Sequence, residues 1–343
     1  MSDLDRRKVL AGLGLGALAL STRARAAPPR ERSSLVVVYL NGGPAGLFNS
    51  AGSFLRSGAF GVTHDNIRSV GNGLMVDAGS FGALPAIALQ HMASINFKHG
   101  YERHDVARAA LLQTGSRSNL MMLAQALDPA PLRCAIVNTL GMPDGVDRDP
   151  PREGGIALAR VAELDEIPVD GSALSQARGA YGIHASTNVV GDTATSFAAA
   201  ELLVRAGTGV VFTQPMYVGR PDRQLDTHKD ANGAEARKLF GSILAPLQTF
   251  VARALALPNK NVVIALVGEF SRTVGASDHE PGGTATVIGK YVKTGTAGPQ
   301  RPDGAPPPNA PPPEGLWAYA AAALRLPGAP FGKNPNPELI ISG

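Results

Sequence analysis

The sequence predicts an α/β fold with a mostly parallel sheet and helices on both of its sides. Four apolar, β-branched runs suit strands that are buried on both faces, because the runs are continuous rather than alternating. These runs lie at residues 34–40, 134–140, 209–214 and 261–268. Helix-like segments separate them, and such alternation of strands and helices is typical of parallel sheets. The helix-like segments are residues 83–93, 104–114, 118–127, 194–206 and 233–257.

Glycine and proline set the limits of several elements. Ala and Leu favour a helix over residues 194–206, and Gly207 is suited to close it. Residues 41–82 are rich in Gly, Ser and Asn and predict a loop with short helical turns. The proline-rich residues 298–315 predict an exposed, stiff surface loop. A short helix at residues 316–325 and an irregular tail should follow.

The first 26 residues have the pattern of a twin-arginine export signal. Paired Arg6 and Arg7 precede a short apolar run at residues 9–20, and an Ala-x-Ala cleavage site ends the segment. The run is shorter than the ~20 apolar residues of a membrane span; an uncleaved anchor is the alternative. Cleavage would leave residues 27–343 as a single α/β domain, periplasmic or extracellular, with no stable membrane span.

Charge and cysteine content exclude two classes of function. The signal holds five of the 32 Lys and Arg and two of the 28 Asp and Glu, so the mature net charge is about +1. This near neutrality, with only six Tyr and one Trp for base stacking, argues against nucleic-acid binding. Cys134 is the only cysteine, which excludes an intrachain disulfide and a thiolate metal cage. Its apolar surroundings predict a buried, inert thiol.

A carboxylate and an imidazole follow the third apolar run. Asp226 and His228 are two residues apart and can face the same way in an extended segment. This pair is a reasonable half-site for a divalent metal. Helix capping is the alternative, with Asp230 or Asn232 closing the start of the next helix.

A denser polar group follows the last apolar run, in the stretch "GEFSRTVGASDHEPGG". The group consists of Glu269, Arg272, Asp278 and His279. In an open parallel sheet, sites form at the carboxyl ends of the strands. We therefore expect Asp226, Glu269 and Asp278 to lie close together and to repel one another unless a cation lies between them. A metal would supply that cation; an ion pair between Arg272 and Glu269 is the alternative.

Other polar residues give weaker signals. His99 and His104 bracket "GYER" before a predicted helix, with a loose spacing of five. The glycines of "NGGPAG", which begins at Asn41, let backbone amides approach an anion closely, but a tight turn is the commoner use of such a pair. His91 is predicted to lie within a helix.

Together these segments resemble the twin-arginine-exported bacterial proteins grouped as domain of unknown function 1501, which are placed in the alkaline phosphatase and sulfatase superfamily. The resemblance extends over most of residues 27–343. The order and spacing of the matching blocks are more specific than any one block. The blocks are "VVVYLNGGPAG", "HDVARAALLQTG", "LVRAGTGVVF", "DTH", "GEFSRT" and the Asp-His loop before "GGTATVIGKYVKTG".

The resemblance implies a three-layer α/β/α sandwich like that of alkaline phosphatases. It also implies two divalent metals, held by Asp and His from several strand ends, that bind a phosphate or sulfate oxyanion while a Ser or Thr attacks. One metal would be held by Asp226 and His228, and the other by Asp278 and His279. Four further residues are expected to orient these ligands or to contact the anion: Glu269, Arg272, Asn41 and His104.

The chain departs from this family pattern in the loop after the first strand. Relatives usually have an aspartate there, whereas this chain has Pro44, Ala45 and Phe48. Glu280 also stands where relatives often have a further histidine. The sequence therefore predicts at most one tightly bound divalent metal, either zinc or calcium or magnesium. The candidate nucleophiles are Ser50, Ser53 and Ser80.

Two functions are consistent with these observations. The first is a secreted metal-dependent hydrolase that acts on phosphate or sulfate esters, with a small-molecule ester or anionic ligand as its partner. The second is a non-catalytic member of the superfamily, with an incomplete metal site, that binds a ligand or a protein partner. The missing loop aspartate favours the second function. The retained residues favour the first, and they are Asp226, His228, Asp278 and His279.

Overall fold

The computed structural model describes residues 31–43, 67–128, 130, 132–138, 158–184, 188–217, 219, 225–230, 233–272, 278–298, 300, 301 and 305–342. The described residues from Arg32 onward belong to one unit. The predicted export signal lies outside these residues, as do Pro44, Ala45, Phe48, Ser50 and Ser53. None of the described helices is long and apolar enough to cross a membrane.

The secondary structure of the described residues alternates between strands and helices. The strands are β1 (Arg32–Tyr39), β2 (Ile67–Gly71), β3 (Leu74–Asp77), β4 (Met92–Lys98), β5 (Gln113–Thr114), β6 (Arg117–Ser118), β7 (Cys134–Val137), β8 (Leu158–Val161), β9 (Val210–Thr213), β10 (Lys260–Val267), β11 (Ser271–Arg272), β12 (His279–Glu280), β13 (Gly282–Gly289) and β14 (Gly295–Thr296). The α-helices are α1 (Ala86–Leu89), α2 (His104–Leu112), α3 (Asn119–Ala126), α4 (Gly171–Tyr181), α5 (Thr193–Ala206), α6 (Ala234–Leu255) and α7 (Pro313–Ala323). Short 3-10 helices cover Phe81–Ala83, Leu164–Glu166 and Pro337–Leu339.

Eight of these strands form the central sheet, in the order β14-β4-β13-β10-β1-β9-β7-β8. Strand β1 lies between β10 and β9 and is parallel to both. β7 is parallel to β9 and β8, and β14 is parallel to β4. Among the described strands of this sheet, only β13 is antiparallel to both of its neighbours. The predicted mostly parallel sheet is therefore confirmed.

Both faces of the sheet are covered by helices. Side chains alternate along β1, so that Leu35 and Val37 pack in one hydrophobic cluster and Val36 and Val38 in another. The first cluster includes residues of α2, α3 and α7. The second includes residues of α4, α5 and α6. This arrangement gives three layers, and the α/β/α prediction is confirmed.

A buried carboxylate links the three helices of the second layer. Glu201 of α5 is fully buried and accepts hydrogen bonds from Arg205 Nε at 2.8 Å and from Arg253 Nε of α6 at 2.7 Å. Tyr181 of α4 donates its hydroxyl to the same carboxylate at 3.1 Å. Burial raises the pKa of Glu201, but the hydrogen bonds from both arginines outweigh it and lower the pKa below its usual range.

One predicted helix was wrong, because residues 83–93 do not form a single element. The segment contains the end of a 3-10 helix, then α1, and enters β4 at Met92. His91 consequently lies in the turn before β4 and not in a helix, and its backbone carbonyl accepts a hydrogen bond from Gly289 N at 3.1 Å. The stretch "MASINFK" extends because it pairs along its length with β13.

Strands β4, β8 and β13 and helix α4 were not predicted. In β4 and β13, buried polar side chains interrupt the apolar runs by which strands were recognised. Thr284 of β13 donates its hydroxyl to Asn96 of β4 at 2.9 Å, so both polar groups are satisfied inside the sheet. The predicted loop over residues 41–82 likewise contains the β2–β3 hairpin.

Two local predictions have clear outcomes. Cys134 is buried at the start of β7, and burial raises its pKa to about 12, which makes an inert thiol. In the proline-rich segment, Pro313 already begins α7, and Ala305 is buried rather than exposed. The segment packs against the end of β4, because Lys98 N donates to Pro311 O at 2.9 Å.

Candidate metal centre

Several chain segments meet at the carboxyl edge of the central sheet. The neighbouring strands β10, β1 and β9 are parallel, so the segments that follow them lie at one edge. Strand β4 ends at this edge too, since its last residue Lys98 pairs with the first residue of the antiparallel strand β13, Gly282. The segments at this edge therefore bring together residues that are far apart in the sequence.

A cluster of one carboxylate and three imidazoles lies at this edge. One nitrogen or oxygen atom from each of the four residues lies within 4.8 Å of the others, and the residues are His104, Asp226, His228 and His279. We call them the His-Asp cluster. Asp226 is at its centre, 3.3 Å from His104 Nε2, 3.0 Å from His228 Nε2 and 3.3 Å from His279 Nε2. All three rings thus present the same nitrogen, Nε2, to one carboxylate.

The other nitrogen of each ring lies against an oxygen atom. His104 Nδ1 is 2.7 Å from Glu269 Oε1, and His279 Nδ1 is 2.7 Å from the backbone carbonyl of Glu102. His228 Nδ1 is 3.5 Å from Asp278 Oδ1. The two contacts at 2.7 Å are hydrogen bonds and are shorter than the 3.3 Å contacts of the same rings to Asp226, which favours a proton on Nδ1 of His104 and of His279 and leaves Nε2 of each ring able to act as a ligand.

Asp226 is held in its ionised form. Arg272 Nη2 donates to Asp226 Oδ1 at 2.6 Å and also donates to the carbonyl of Gly42, while Arg272 Nε donates to Gly43 O at 3.2 Å. Burial raises the pKa of Asp226, but the neighbouring His104, His279 and Arg272 outweigh it and keep the pKa well below the usual range. An ion pair between Arg272 and Glu269 was the alternative to a metal; the structure pairs the arginine with Asp226.

Glu269 is a fully buried carboxylate directly behind His104. Its Oε2 accepts the hydroxyl of Tyr39 at 2.7 Å, and its Oε1 accepts the backbone amide of Gly42 at 3.0 Å as well as His104 Nδ1. Gly42 can approach so closely because it has no side chain: a Cβ there would lie 2.6 Å from Asp226 N, at a φ of +88°. The Gly-Gly turn after β1 therefore fixes both carboxylates.

The protonation of His104 depends on these two carboxylates. Asp226 first and then Glu269 raise its pKa to about 9 against the opposing effect of burial. Its Nε2 atom is buried and, although 3.3 Å from Asp226 Oδ2, is not aligned for a hydrogen bond with any described residue. A buried nitrogen without a hydrogen bond, aimed at a carboxylate, is the arrangement that a bound cation would satisfy.

Aromatic packing fixes the rings of the cluster. Phe270 stacks on His279, with ring centroids 4.1 Å apart and an interplanar angle of 6°. Phe270 also makes an edge contact with His104 at 5.0 Å. His99 donates from Nε2 to the backbone carbonyl of Glu269 at 2.6 Å and so holds the segment that follows β10. The rings therefore have little freedom to leave the cluster.

The structure brings together most of the residues singled out from the sequence, with different roles for some. Asp226, His228 and His279 lie in the His-Asp cluster. Asp278 does not; its side chain is 67% exposed and lies at the rim beside His228. Asn41 is buried, and its backbone carbonyl accepts a hydrogen bond from Leu225 N at 2.6 Å, which anchors the residue before Asp226.

Sequence analysis missed the place of His104 among the potential ligands. The residue begins α2, directly after the segment that follows β4. Its signal in the sequence was the block "HDVARAALLQTG", but the strand that carries it to the sheet edge was not predicted. Ser80, a candidate nucleophile, is buried just before a 3-10 turn, and its hydroxyl donates to the backbone carbonyl of Asp77 at 3.4 Å.

No protein-family model matches the chain, and no curated protein matches it either. Membership of the family grouped as domain of unknown function 1501 therefore stays a prediction. Solved structures with an overall likeness include a protein of the alkaline phosphatase superfamily from Vibrio parahaemolyticus, at 10% identity and a TM-score of 0.45, over 92% of this chain and 76% of that one.

Two further structures have the same kind of likeness. The lipoteichoic acid synthase LtaP from Listeria monocytogenes is 11% identical, with a TM-score of 0.44, over 89% of this chain and 75% of that one. The alkaline phosphatase of the Antarctic bacterium TAB5 is 9% identical, with a TM-score of 0.38, over 87% of this chain and 99% of that one. Likeness at these values does not establish a shared activity.

Proposed function

We propose that this protein is a mononuclear metal-dependent hydrolase that acts on phosphate or sulfate esters. The observation that supports the metal site is the convergence of three Nε2 atoms on Asp226, each ring backed by an oxygen at Nδ1. The ester class comes from the resemblance of the sequence blocks to the alkaline phosphatase and sulfatase superfamily.

The donor atoms fit a transition metal such as zinc better than calcium or magnesium. Three imidazole nitrogens and one carboxylate oxygen are typical ligands of zinc and its neighbours, whereas calcium and magnesium prefer oxygen. The buried Nε2 of His104, which has no hydrogen bond in the described chain, is accounted for if it is a ligand. The group also agrees with the expectation of a single tightly held ion.

A divalent metal held by the His-Asp cluster would act as a Lewis acid toward an ester oxygen. The residues of the chain would supply the rest of the site. The side chain of His228 is 44% exposed, so an ester can approach from its side of the cluster. Arg272 is only 3% exposed and hydrogen-bonds to Asp226, so it orients that carboxylate and does not reach toward a substrate anion.

A second function is favoured by the number of donors. Four protein ligands are enough to complete a tetrahedral zinc site, as in structural sites. If all four bind at once, the metal has no open position for an ester, and the protein would be a non-catalytic member in which the metal is structural and another surface binds a ligand or a protein partner. Hydrolysis of simple esters separates the two functions.

Release of nitrophenol from p-nitrophenyl phosphate and p-nitrophenyl sulfate tests the hydrolase. We expect slow turnover that requires added zinc, cobalt or manganese and is lost in His228→Ala. Glu166→Gln is a suitable control because Glu166 lies in a 3-10 turn away from the cluster and caps that turn only. Metal binding without turnover on either ester would contradict the hydrolase and support the non-catalytic function.

We also propose that the protein is exported by the twin-arginine route, on the basis of Arg6 and Arg7. Replacing both with lysine should leave the protein in the cytoplasm at its full length, because that pathway requires the arginine pair. Cell fractionation with immunoblotting measures the location and the size. Export of the double variant at the normal level would show that another signal operates.

A further inference from the structure

Glu269 is placed to control one ligand of the proposed metal without contacting the metal itself. Its carboxylate is fully buried and accepts hydrogen bonds from Tyr39, Gly42 and His104, at 2.7, 3.0 and 2.7 Å. Tyr39 lies on β1 and Gly42 on the turn that follows it, so both donors belong to the rigid centre of the sheet. The position of Glu269 Oε1 is therefore fixed before any metal binds.

The contact with His104 settles which ring nitrogen can bind a metal. Glu269 Oε1 lies on Nδ1, and the opposite nitrogen, Nε2, faces Asp226. An ionised carboxylate favours a proton on the nitrogen next to it, orients the ring and increases the basicity of the far nitrogen. Without Glu269, His104 would be free to turn or to carry its proton on Nε2.

The three oxygen atoms that lie next to the Nδ1 atoms of the cluster are not equivalent. Glu269 offers a buried carboxylate oxygen at 2.7 Å, and Glu102 a backbone carbonyl at 2.7 Å. Asp278 is 67% exposed and lies at 3.5 Å, so water screens its charge. Of the two side chains, Glu269 should have much the larger effect on its ring.

We propose that Glu269 is the positioning residue of the metal centre, which holds His104 in the Nδ1-protonated form so that Nε2 is presented to the ion. The inference rests on the metal site of the proposed function, but not on its hydrolytic activity. It assigns to the strand-end sequence "GEF" two tasks: Glu269 orients His104 and Phe270 packs against His279.

Zinc affinities of full-length variants, measured by competition with a chelating dye, test this inference. Glu269→Gln keeps the shape and an acceptor oxygen but removes the charge, and should weaken binding about 10–100-fold, the usual effect of losing such a partner. Tyr39→Phe removes one donor to Glu269 and should weaken binding by a smaller factor. Glu166→Gln is the control, because its carboxylate accepts hydrogen bonds from the backbone amides of Ala162 and Glu163 and from no residue of the His-Asp cluster.

A spectroscopic measurement distinguishes positioning from simple stabilisation. In the cobalt-loaded protein, the exchangeable imidazole N–H protons of the ligands should give separate, paramagnetically shifted NMR signals. The signal that disappears in His104→Ala should move in Glu269→Gln and in Tyr39→Phe but not in Glu166→Gln. If Glu269→Gln does not fold, Tyr39→Phe alone provides the test.

Two results would overturn the inference. One is unchanged zinc affinity in Glu269→Gln; the other is a weakened affinity with the His104 signal unmoved, which would indicate a structural role only. Either result would leave the proposed hydrolase intact if metal-dependent turnover is observed. Conversely, lack of turnover with the expected affinity changes would refute the hydrolase and retain the positioning role.

Discussion

Replacing Asp226 with asparagine is expected to weaken zinc binding at least about 100-fold, the upper end of the loss caused by removing a group that merely orients a ligand. Asparagine keeps the shape of the side chain but removes the charge that faces three imidazoles and Arg272. The cluster would then hold only neutral ligands beside a buried arginine. Calorimetric titration of metal-free protein with zinc measures the effect.

Two other aspartates provide the comparison. Asp105→Asn is the matched control, because its carboxylate is 60% exposed, pairs with Arg103 and lies next to His104 in the chain. We expect its effect to be small, as is usual for an exposed charge. Asp278→Asn should weaken binding less than Asp226→Asn, since Asp278 lies at the rim. Equal losses at positions 226 and 278 would show that Asp278 is a ligand, as the sequence suggested.

Replacing Glu201 with glutamine is expected to lower the free energy of unfolding by about 3 kcal/mol, as is typical when one partner of a buried ion pair is removed. The change leaves Arg205 and Arg253 without their shared carboxylate between α5 and α6. Urea unfolding followed by the fluorescence of Trp317, the only tryptophan, measures the difference. A chelator in all samples excludes a contribution from bound metal.

The same residue predicts a dependence on pH. Because the pKa of Glu201 is lower in the folded protein than in the unfolded chain, its stabilising effect is complete above the unfolded value, about 4.5, and is lost as the pH falls below it. The difference in the free energy of unfolding between the unmodified protein and Glu201→Gln should therefore be constant from pH 8 to about 5 and become smaller at lower pH.

Asp165→Asn, which breaks an exposed pair with Arg178, is the control and should lower the free energy of unfolding by at most about 1 kcal/mol. A similar loss in the free energy of unfolding for both variants would contradict the assigned role of Glu201.

The part of the fold that could be predicted from the sequence is the part built from continuous apolar runs. Strands β1, β7, β9 and β10 are such runs, and they form the parallel half of the sheet. Strands β4 and β13 were missed because Asn96 and Thr284 make their buried hydrogen bond across the strands. A polar pair of this kind is visible only once the two strands are known to be neighbours.

The same omission explains why the position of His104 beside Asp226 was not predicted. Without β4, nothing in the sequence brings the start of α2 to the sheet edge, and the spacing of five from His99 gave no orientation. For Asp278 and His279, the family resemblance implied a shared metal. Successive side chains of an extended segment point in opposite directions, so His279 turns inward, with 15% exposed, while Asp278 turns out to the rim.

The metal content of the chain, with the coordination of its metal, tests the central claim most directly. Purified protein is stripped with a chelator, reloaded with zinc, dialysed and examined by elemental analysis and X-ray absorption at the zinc edge. We predict one zinc ion per chain with three imidazole ligands and one carboxylate, and loss of that ion in His104→Ala. No retained zinc, two tightly held ions, or one ion without imidazole ligands would contradict the account.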